Sequence, residues 1–422
     1  MDKRVQALVA LTKTKFGLHN YYLKNHRLDR DVNLFRETVY TLSMEWFPNH
    51  IMEMEDDDTN PEGTAVIDIE VTTQKVKSVI FVGGKTFANG VTFSRSNTDD
   101  IIKWVEKETG LNFGTQFQIR KEEVGELTFS ECIDGVAVSP SGSIEVEYNE
   151  AGKLTLFSIY GQFPQSEIIK KEKYMLSLDK VQQLAKGQLK LTEFPSFEHK
   201  KLTPVYAVEE LFVTNDQMAT IPFEPIVDVR AYLQVNKVIF WEESIDKPFN
   251  RKEMKWLEEV TADQAFSSEP SPDSFPITKD IQEKCIQIVR ELLQRQFGKE
   301  PGKWILKTIH QEKGYIHATL RTVDQELRVF QRKLVIMIDP DTMEAVNYID
   351  NKQMLEMFDE FQTTENIVLD KEEAYRKLKS SIELTPYYVY DFQQKQYILC
   401  GKIDCQYGVN ATTGDVMALD DL

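Results

Sequence analysis

The sequence predicts an α+β fold built from tandem units, each with one helix packed on a small antiparallel sheet. Three observations support this prediction: a short hairpin pattern recurs along the 422-residue chain, a helical pattern precedes each copy, and one polar stretch interrupts the series. A chain of this length exceeds a single hydrophobic core, so division into several domains is expected.

The hairpin pattern is clearest in the last residues, GVNATTGDVMALDDL (408–422). Gly414 lies between two short strands, at a turn position that favours a positive φ. Similar segments occur at residues 69–80, 147–156, 231–240 and 338–346, with Gln74, Gly152, Asn236 and Met343 at the position of Gly414. Residues other than glycine and asparagine are disfavoured in the left-handed region, so the turns with Gln74 and Met343 are expected to differ in detail.

A helical pattern lies before each hairpin. The predicted helices begin, in chain order, near Val5, Asn97, Ser177, Thr278 and Asp370. At Asp370, a glutamate three residues later completes a capping box, and apolar residues then follow on one face. The first helix is expected to extend to Leu23 and has no clear cap.

These patterns divide the chain into five helix-and-sheet units. The predicted units are residues 1–95, 96–168, 174–263 with a closing helix, 277–361 with a closing helix, and 368–422. Residues 264–276 are predicted to be a linker, because TADQAFSSEPSPDSFP (261–276) is rich in serine, proline and aspartate. Asn250 and Glu253 predict a capping box for one closing helix, KEMKWLEEV, and KQMLEMFDEF (352–361) is its counterpart in the fourth unit.

Composition and charge exclude several classes of partner. A net charge of −18 repels nucleic-acid phosphates, so no nucleic-acid partner is expected. The sequence has no apolar stretch of about eighteen residues and no signal-peptide pattern, which predicts no membrane insertion and a cytoplasmic location. Cys132, Cys285, Cys400 and Cys405 are too sparse for a disulfide framework and are expected to be buried thiols.

Two phrases of the sequence resemble a known family. VNATTGDVM (409–417) and FSECIDGVAVSPSGSIEVEYNEAGKLTLFS (129–158) are similar to hairpins of PepSY-type domains, specifically the YcdB/YcdC-type repeated domain of Gram-positive bacteria. The resemblance implies repeated, cystatin-like units of a helix on a small sheet. Because PepSY domains occur in peptidase propeptides and membrane-associated regulators, it also implies a protein-binding or inhibitory role. Members of the repeated family are usually exported, whereas this sequence shows neither their signal peptide nor their surface-layer modules.

One segment imitates a phosphate-binding loop. In FVGGKTF (81–87), Gly84, Lys85 and Thr86 follow a predicted strand. The full motif requires a glycine five residues before Gly84, where this chain has Val79, and the following residues predict a second turn instead of a helix. A simple glycine turn is therefore expected.

Two acidic segments contain the oxygen ligands that calcium prefers. EMEDDDTNPEG (53–63) lacks the alternating ligands and central glycine of a calcium loop, and it predicts a solvated connection between strands. Asp339 and Asp341 belong to a predicted hairpin turn, which accounts for both residues. No metal site and no cofactor are predicted.

The histidines form no local metal-binding pattern, which excludes a site on one helix but leaves open a site assembled from distant segments. His310 and His317 flank a predicted hairpin turn in QEKGYI and are able to face each other across two strands. A surface pair is the expected arrangement. No Gly-x-Ser-x-Gly motif or recognisable cysteine nucleophile occurs, so no catalytic residue is predicted.

Aromatic residues crowd one predicted strand, which contains Tyr387, Tyr388, Tyr390 and Phe392. One face of this strand is expected in a core. The other face is expected to pack against a neighbouring unit, with an exposed binding surface as the alternative.

The sequence therefore predicts a non-catalytic protein- or peptide-binding regulatory protein, built from repeated PepSY-like units, with a peptidase as one candidate target. Two alternatives remain open. One is an enzyme or small-ligand carrier with a site in a pocket between units, motivated by His310, His317 and the acidic segment 53–63. The other is a structural component of a spore or envelope assembly. The sequence determines neither the binding residues nor the oligomeric state.

Overall fold

The computed structural model describes residues 1–51, 59–94, 97–164, 166–223, 232–254, 259–323, 329–363 and 366–422. Within these ranges the chain forms seven α-helices and twenty-three β-strands, and most strand pairs are antiparallel. This mixed architecture is consistent with the predicted α+β class. The tandem arrangement of the units and their boundaries stay predictions.

The helices are α1 (Lys3–Lys15), α2 (Thr98–Thr109), α3 (Leu178–Gln188), α4 (Ala262–Ser267), α5 (Lys279–Gln296), α6 (Lys352–Leu355) and α7 (Lys371–Leu378). The strands of the first half are β1 (Tyr21–Val32), β2 (Thr38–Pro48), β3 (Ala65–Glu70), β4 (Val76–Phe81), β5 (Phe117–Glu123), β6 (Glu126–Ile133), β7 (Val136–Ser139), β8 (Ser143–Tyr148), β9 (Leu154–Tyr160), β10 (Leu189–Ser196), β11 (Lys201–Val208), β12 (Leu211–Thr214) and β13 (Thr220–Pro222). Those of the second half are β14 (Leu233–Ile239), β15 (Trp304–Glu312), β16 (Tyr315–Thr322), β17 (Lys333–Asp339), β18 (Glu344–Asp350), β19 (Gln362–Thr363), β20 (Glu383–Asp391), β21 (Gln396–Asp404), β22 (Tyr407–Asn410) and β23 (Val416–Ala418).

Three sheets are formed by the part of the chain that the structure describes. The largest has 13 strands in the order β1-β2-β3-β4-β9-β8-β6-β7-β20-β21-β12-β13, with β5 paired to β6. The second has the order β10-β11-β22-β23 with β19 beside β11, and the third the order β14-β15-β16-β17-β18. The pairs β7·β20 and β11·β19 are parallel.

Two distant parts of the chain share their sheets. Strand β11 pairs with β22, and β12 pairs with β21, so residues 189–222 interleave with residues 383–418. The third sheet is made by residues 233–350, which lie between these two parts in sequence. The segments predicted as the third and fifth units are therefore joined through their strands, and the fourth lies between them along the chain.

Helices cover one face of each sheet over part of its extent, where the strands alternate apolar and polar residues. In β3, for example, the side chains alternate between buried and half-buried along the whole strand. The core under α1 and α2 includes Val5, Leu8, Ile101 and Val105. Helix α5 buries Cys285, Val289 and Leu292 on the third sheet, and α7 buries Ala374 and Leu378 on the second.

The predicted starts of α5 and α7 are confirmed. The side chain of Thr278 accepts a hydrogen bond from the Ile281 N–H at 3.3 Å, and the Asp370 carboxylate accepts one from the Glu373 N–H at 2.8 Å. These contacts satisfy backbone donors that the first turn of a helix leaves without partners. The sequence pattern therefore located both helix starts correctly.

The prediction for the first helix was wrong at its end. Helix α1 stops at Lys15 instead of Leu23, and Gly17 follows with a φ of 62°. A left-handed glycine after the last turn is a common helix end, and here it allows β1 to begin at Tyr21. The helix also has a cap that the prediction missed, because Asp2 accepts a hydrogen bond from the Arg4 N–H at 2.8 Å.

The recurring turn is more uniform than predicted. Its five positions have a left-handed φ: 59° at Gln74, 74° at Gly152, 50° at Asn236, 50° at Met343 and 78° at Gly414. The expectation that the turns at Gln74 and Met343 differ from the others was therefore wrong on this point.

The hairpin predicted at residues 231–240 was also wrong. Residues 233–239 form the single strand β14, and the register shifts by a bulge between Gln234 and Lys237 in its pairing with β15. A bulge accepts a residue with positive φ, so Asn236 meets the same backbone requirement in a different setting.

The predicted linker is a folded segment. Thr261 and Gln264 form a capping box for α4, and Ala265 is fully buried in the core under the first sheet. The Tyr40 hydroxyl donates to the Glu269 carbonyl at 2.7 Å, which holds the segment against β2. The closing helix predicted at KEMKWLEEV (252–260), with its capping box at Asn250 and Glu253, was wrong for the described residues: residues 250–254, 259 and 260 form no helix, and residues 255–258 lie outside the described part of the chain. No helix within the described part of the chain is long and apolar enough to span a membrane.

Candidate functional site

Four phenylalanine rings meet at the surface where the second and third sheets approach each other. Phe197 lies in the turn between β10 and β11, Phe330 precedes β17, and Phe358 and Phe361 follow α6. We call Phe197, Phe330, Phe358 and Phe361 the phenylalanine patch. Its members come from three separate segments, so the patch exists only in the folded chain.

Phe358 is the centre of the phenylalanine patch. Its ring centroid is 5.5 Å from that of Phe330, with the two planes nearly parallel at 8°. The Phe197 and Phe361 rings are 5.7 Å and 5.3 Å from it, and the Phe361 ring meets it edge to face. These separations fall within the range of favourable aromatic pairs, so the rings support one another on the surface.

Two rings of the phenylalanine patch are more exposed to solvent than is usual for apolar side chains. Phe197 is 57% exposed and Phe330 50%, while Phe358 and Phe361 are half-buried. Two methionines of the segment that contains Phe358 are also exposed, Met354 at 73% and Met357 at 56%. Single exposed apolar residues are ordinary, but a contiguous group of aromatic rings is typical of an interaction surface.

Backbone and charged contacts hold the segments of the patch together. Lys200 Nζ forms an ion pair with Glu360 Oε2 at 2.9 Å, and the Gln362 N–H donates to the Lys200 carbonyl at 2.9 Å. The Val329 N–H donates to the Glu193 carbonyl at 3.3 Å, which places Phe330 against the edge of β10. The rings are thus presented by segments anchored to two sheets.

One segment of the phenylalanine patch carries several carboxylates. Glu356, Asp359 and Glu360 are exposed on the segment that contains Phe358, and Glu360 forms an ion pair with Lys200. The whole chain has a net charge of −18. A partner with basic residues beside its apolar side chains is therefore favoured electrostatically.

The aromatic strand singled out in the sequence is β20, and it lies inside the largest sheet. Tyr388 and Tyr390 are buried in one core cluster, while the Tyr387 ring packs against Phe212 on the other face at 5.6 Å. The predicted core on one face is therefore confirmed; Phe212 belongs to β12 of the same sheet, so packing of the other face against a neighbouring unit stays a prediction. Phe392, 36% exposed, lies just beyond the strand against Tyr390.

The segment that imitates a phosphate-binding loop is a glycine turn, as predicted. Gly83 and Gly84 have φ values of 70° and 65°, and an extended residue follows at Lys85. The Lys85 ammonium forms an ion pair with Glu62, a member of the acidic segment 53–63. Residues 52–58, which contain most of that segment, lie outside the described residues.

Asp339 is the last residue of β17, and Asp341 lies in the turn that leads to β18. The Asp339 carboxylate accepts hydrogen bonds from the Asp341 and Thr342 N–H groups, both at 2.9 Å. These bonds lower the pKa of Asp339, with that from Thr342 contributing most. The turn therefore accounts for Asp339, as predicted.

His310 and His317 are directly opposite each other on β15 and β16, which confirms that they face each other across the hairpin. Their ring centroids are 5.1 Å apart and their planes 21° apart. Glu312 joins them: its Oε2 is 3.6 Å from His310 Nε2, and one ligand atom of each of the three residues lies within 4.8 Å of the others. His317 is only 7% exposed, so the expectation of a surface pair was wrong for this residue.

All four cysteines are buried free thiols, as predicted. Burial raises the pKa of Cys400 to about 12 and that of Cys285 to about 11. A thiol with such a pKa is a poor nucleophile at neutral pH.

The sequence analysis missed the phenylalanine patch. Its residues come from three segments that are far apart in sequence, and the residues next to each phenylalanine show no pattern that predicts a binding surface. The one available signal was KQMLEMFDEF (352–361), in which two methionines and two phenylalanines alternate with carboxylates. That segment is helical at Lys352–Leu355 and continues as a 3-10 turn, but which of its side chains remain exposed depends on the neighbouring sheet.

Comparison with known proteins adds one weak similarity. No protein-family model matches the sequence, and no curated protein matches it. Among solved structures, the Bacillus megaterium YpeB C-terminal domain is similar at a TM-score of 0.26 and 11% identity, over 83% of this chain and 97% of that one. A similarity at this level carries no argument about fold or function.

Proposed function

We propose that this protein binds a protein or peptide segment, without catalysing a reaction, through the phenylalanine patch. The observation that carries the proposal is the contact of four phenylalanine rings at the surface, with Phe197 57% and Phe330 50% exposed. Aromatic residues and methionine are enriched at the centres of protein interfaces. Rings that stay in contact with water contribute no burial energy to folding. Their burial by a partner lowers the free energy of the complex.

The chemistry of the patch defines the class of partner. Apolar side chains of the partner are expected to pack between the rings of Phe197 and Phe330, next to Met354 and Met357. Lysine or arginine residues beside those side chains would lie near Glu356 and Asp359. The expected ligand is therefore a basic amphipathic segment, bound more weakly as salt concentration rises.

The finer part of the proposal concerns the family and the target. We infer that the chain consists of repeated PepSY-like units, acts without enzymatic activity in the cytoplasm, and modulates another protein such as a peptidase. The repetition of units is supported by the recurring turn with its left-handed residue at Gly152, Met343 and Gly414. The resemblance of residues 409–417 and 129–158 to hairpins of PepSY-type domains also supports the proposed family.

The test is a selection from a library of random peptides displayed on phage, carried out on the full chain. Peptides combining aromatic or aliphatic residues with lysine or arginine are expected to be enriched. A double variant, Phe197→Ser with Phe330→Ser, is expected to bind the enriched peptide about tenfold more weakly or worse, because central aromatic residues dominate binding energy. Both replaced rings are half exposed or more, so the variant is expected to fold.

The matched control is Phe275→Ala, which removes a phenylalanine that is 59% exposed outside the patch. Unchanged binding by this control, with loss in the double variant, supports the proposal. Equal binding by wild type and double variant would contradict it. Reversible self-association that the double variant abolishes, measured by sedimentation, would assign the phenylalanine patch to a second copy of the chain and overturn the proposed partner.

A further inference from the structure

The hairpin of β15 and β16 presents polar side chains on one face and apolar ones on the other. Its turn consists of Lys313 and Gly314, with φ values of 49° and 78°. Ile309 and Ile316 are buried under α5 in the core of the third sheet. Because successive strand residues point to opposite faces, His310 and His317 lie on the face away from α5.

We propose that His310, Glu312 and His317 form a binding site for a divalent transition-metal cation such as Zn²⁺. Their three ligand atoms lie within 4.8 Å of one another. Two imidazoles and one carboxylate suit zinc, nickel or copper, whereas magnesium and calcium prefer oxygen ligands alone. This site is separate from the phenylalanine patch and does not depend on the proposed function.

The geometry needs a small adjustment to bind the ion. A tetrahedral metal about 2.1 Å from each ligand atom requires those atoms to be about 3.4 Å apart. Rotation of the Glu312 and His310 side chains closes the difference, because both are partly exposed, at 24% and 19%. His317, at 7% exposure, is held in place by its surroundings.

A residue of another segment holds the turn of the hairpin in place. The Gly314 N–H donates to both carboxylate oxygens of Asp273, at 3.2 Å and 3.1 Å. The strand pairing places His317 between His310 on one side and Met337 on the other. Two of the ligands thus belong to directly opposite positions of one rigid ladder, which reduces the entropy lost on binding.

Three protein ligands leave the fourth position of a tetrahedral ion to water or an outside ligand. Of the three proposed ligands, Glu312 also lines a cleft of about 310 Å³, which His310 and His317 do not line. The opposing interpretation is that Glu312 only stabilises a protonated His310 as an ion pair, without a metal.

Isothermal titration of the chelator-treated full chain with ZnCl₂ distinguishes the two. The proposal predicts one ion per chain and release of protons, with affinity reduced about tenfold or more in His310→Gln and in Glu312→Gln, because each loses a ligand. His199→Gln, which removes an exposed histidine outside the cluster, is the control and is expected to leave binding unchanged.

A second measurement distinguishes loss of the metal site from misfolding of the variant. Wild type and His310→Gln are compared by the visible absorption of bound Co²⁺, and their circular dichroism is recorded on the same samples. A cobalt spectrum typical of nitrogen and oxygen ligands in wild type, lost in a folded His310→Gln variant, supports the site. Zinc binding that is absent in wild type, or that is equal in wild type and His310→Gln, would overturn it.

Discussion

Gln74 and Gly414 occupy the same position in two separate hairpins, and both have a left-handed backbone, with φ of 59° and 78°. Their N–H groups donate to the carbonyl four residues earlier, that of Glu70 at 2.9 Å and that of Asn410 at 2.8 Å. Met343 makes the same bond to Asp339 at 2.9 Å. The recurring unit is thus a backbone conformation, and glycine is one of several residues that adopt it.

Replacing Gln74 by glycine is expected to stabilise the protein. Gln74 is exposed and adopts a conformation that costs about 1 kcal/mol for a residue with a Cβ atom, of which glycine is relieved in part. Urea unfolding of Gln74→Gly should show a gain of up to about 1 kcal/mol. Gln74→Ala is the control, because alanine keeps the Cβ; an equal gain in both variants would show that φ is not the cause.

Glu131 is expected to make folding stability depend on pH. Its side chain is 1% exposed, its Oε2 accepts a hydrogen bond from the Gly142 N–H at 2.6 Å, and burial raises its pKa from 4.5 to about 7. The folded state therefore keeps a proton that the unfolded state releases. This contribution is fully present below pH 4.5 and is lost as pH rises to about 7, by about 3 kcal/mol.

The comparison of wild type with Glu131→Gln isolates that effect. The difference in free energy of unfolding between the two proteins is expected to change with pH between 4.5 and about 7, because glutamine has no titrating proton. Denaturant unfolding at several pH values measures it. A difference that stays constant over this range would show that Glu131 does not titrate there.

Replacing Arg332 by lysine is expected to destabilise the fold. Its guanidinium donates to Asp350 through Nε at 3.2 Å and through Nη2 at 2.7 Å, and it lies over the Trp304 ring at 4.8 Å. Lysine supplies neither the paired donors nor the planar stacking surface. Arg332→Lys should therefore lower the free energy of unfolding by about 1.5–3 kcal/mol, whereas Lys352→Arg, at an exposed position, should change it little.

The sequence was sufficient for features that depend on local chemistry. The caps at Thr278 and Asp370 follow from hydrogen bonds within one helical turn, and the strand pairing of His310 with His317 follows from a two-residue turn. Local patterns encode such features because the interacting atoms are close along the chain.

The features that the sequence did not reveal depend on distant contacts. Strands β12 and β21 pair directly, although the residues of the third sheet lie between them in sequence. Neither strand has a sequence pattern that predicts the other as its partner. The convergence of Phe197 with Phe358 depends on the same long-range arrangement. The turn at Met343 was misjudged for another reason, because the hydrogen bonds of Asp339 support a conformation that methionine alone disfavours.

Hydrogen exchange of the full chain with and without the selected peptide tests the central claim most directly, because it locates the bound segment on the protein. The account predicts slower exchange at residues 352–361 and in the turn that contains Phe197, with the edge strand β1 unchanged. Protection confined to β1, or to any surface away from Phe197 and Phe358, would contradict binding by the phenylalanine patch.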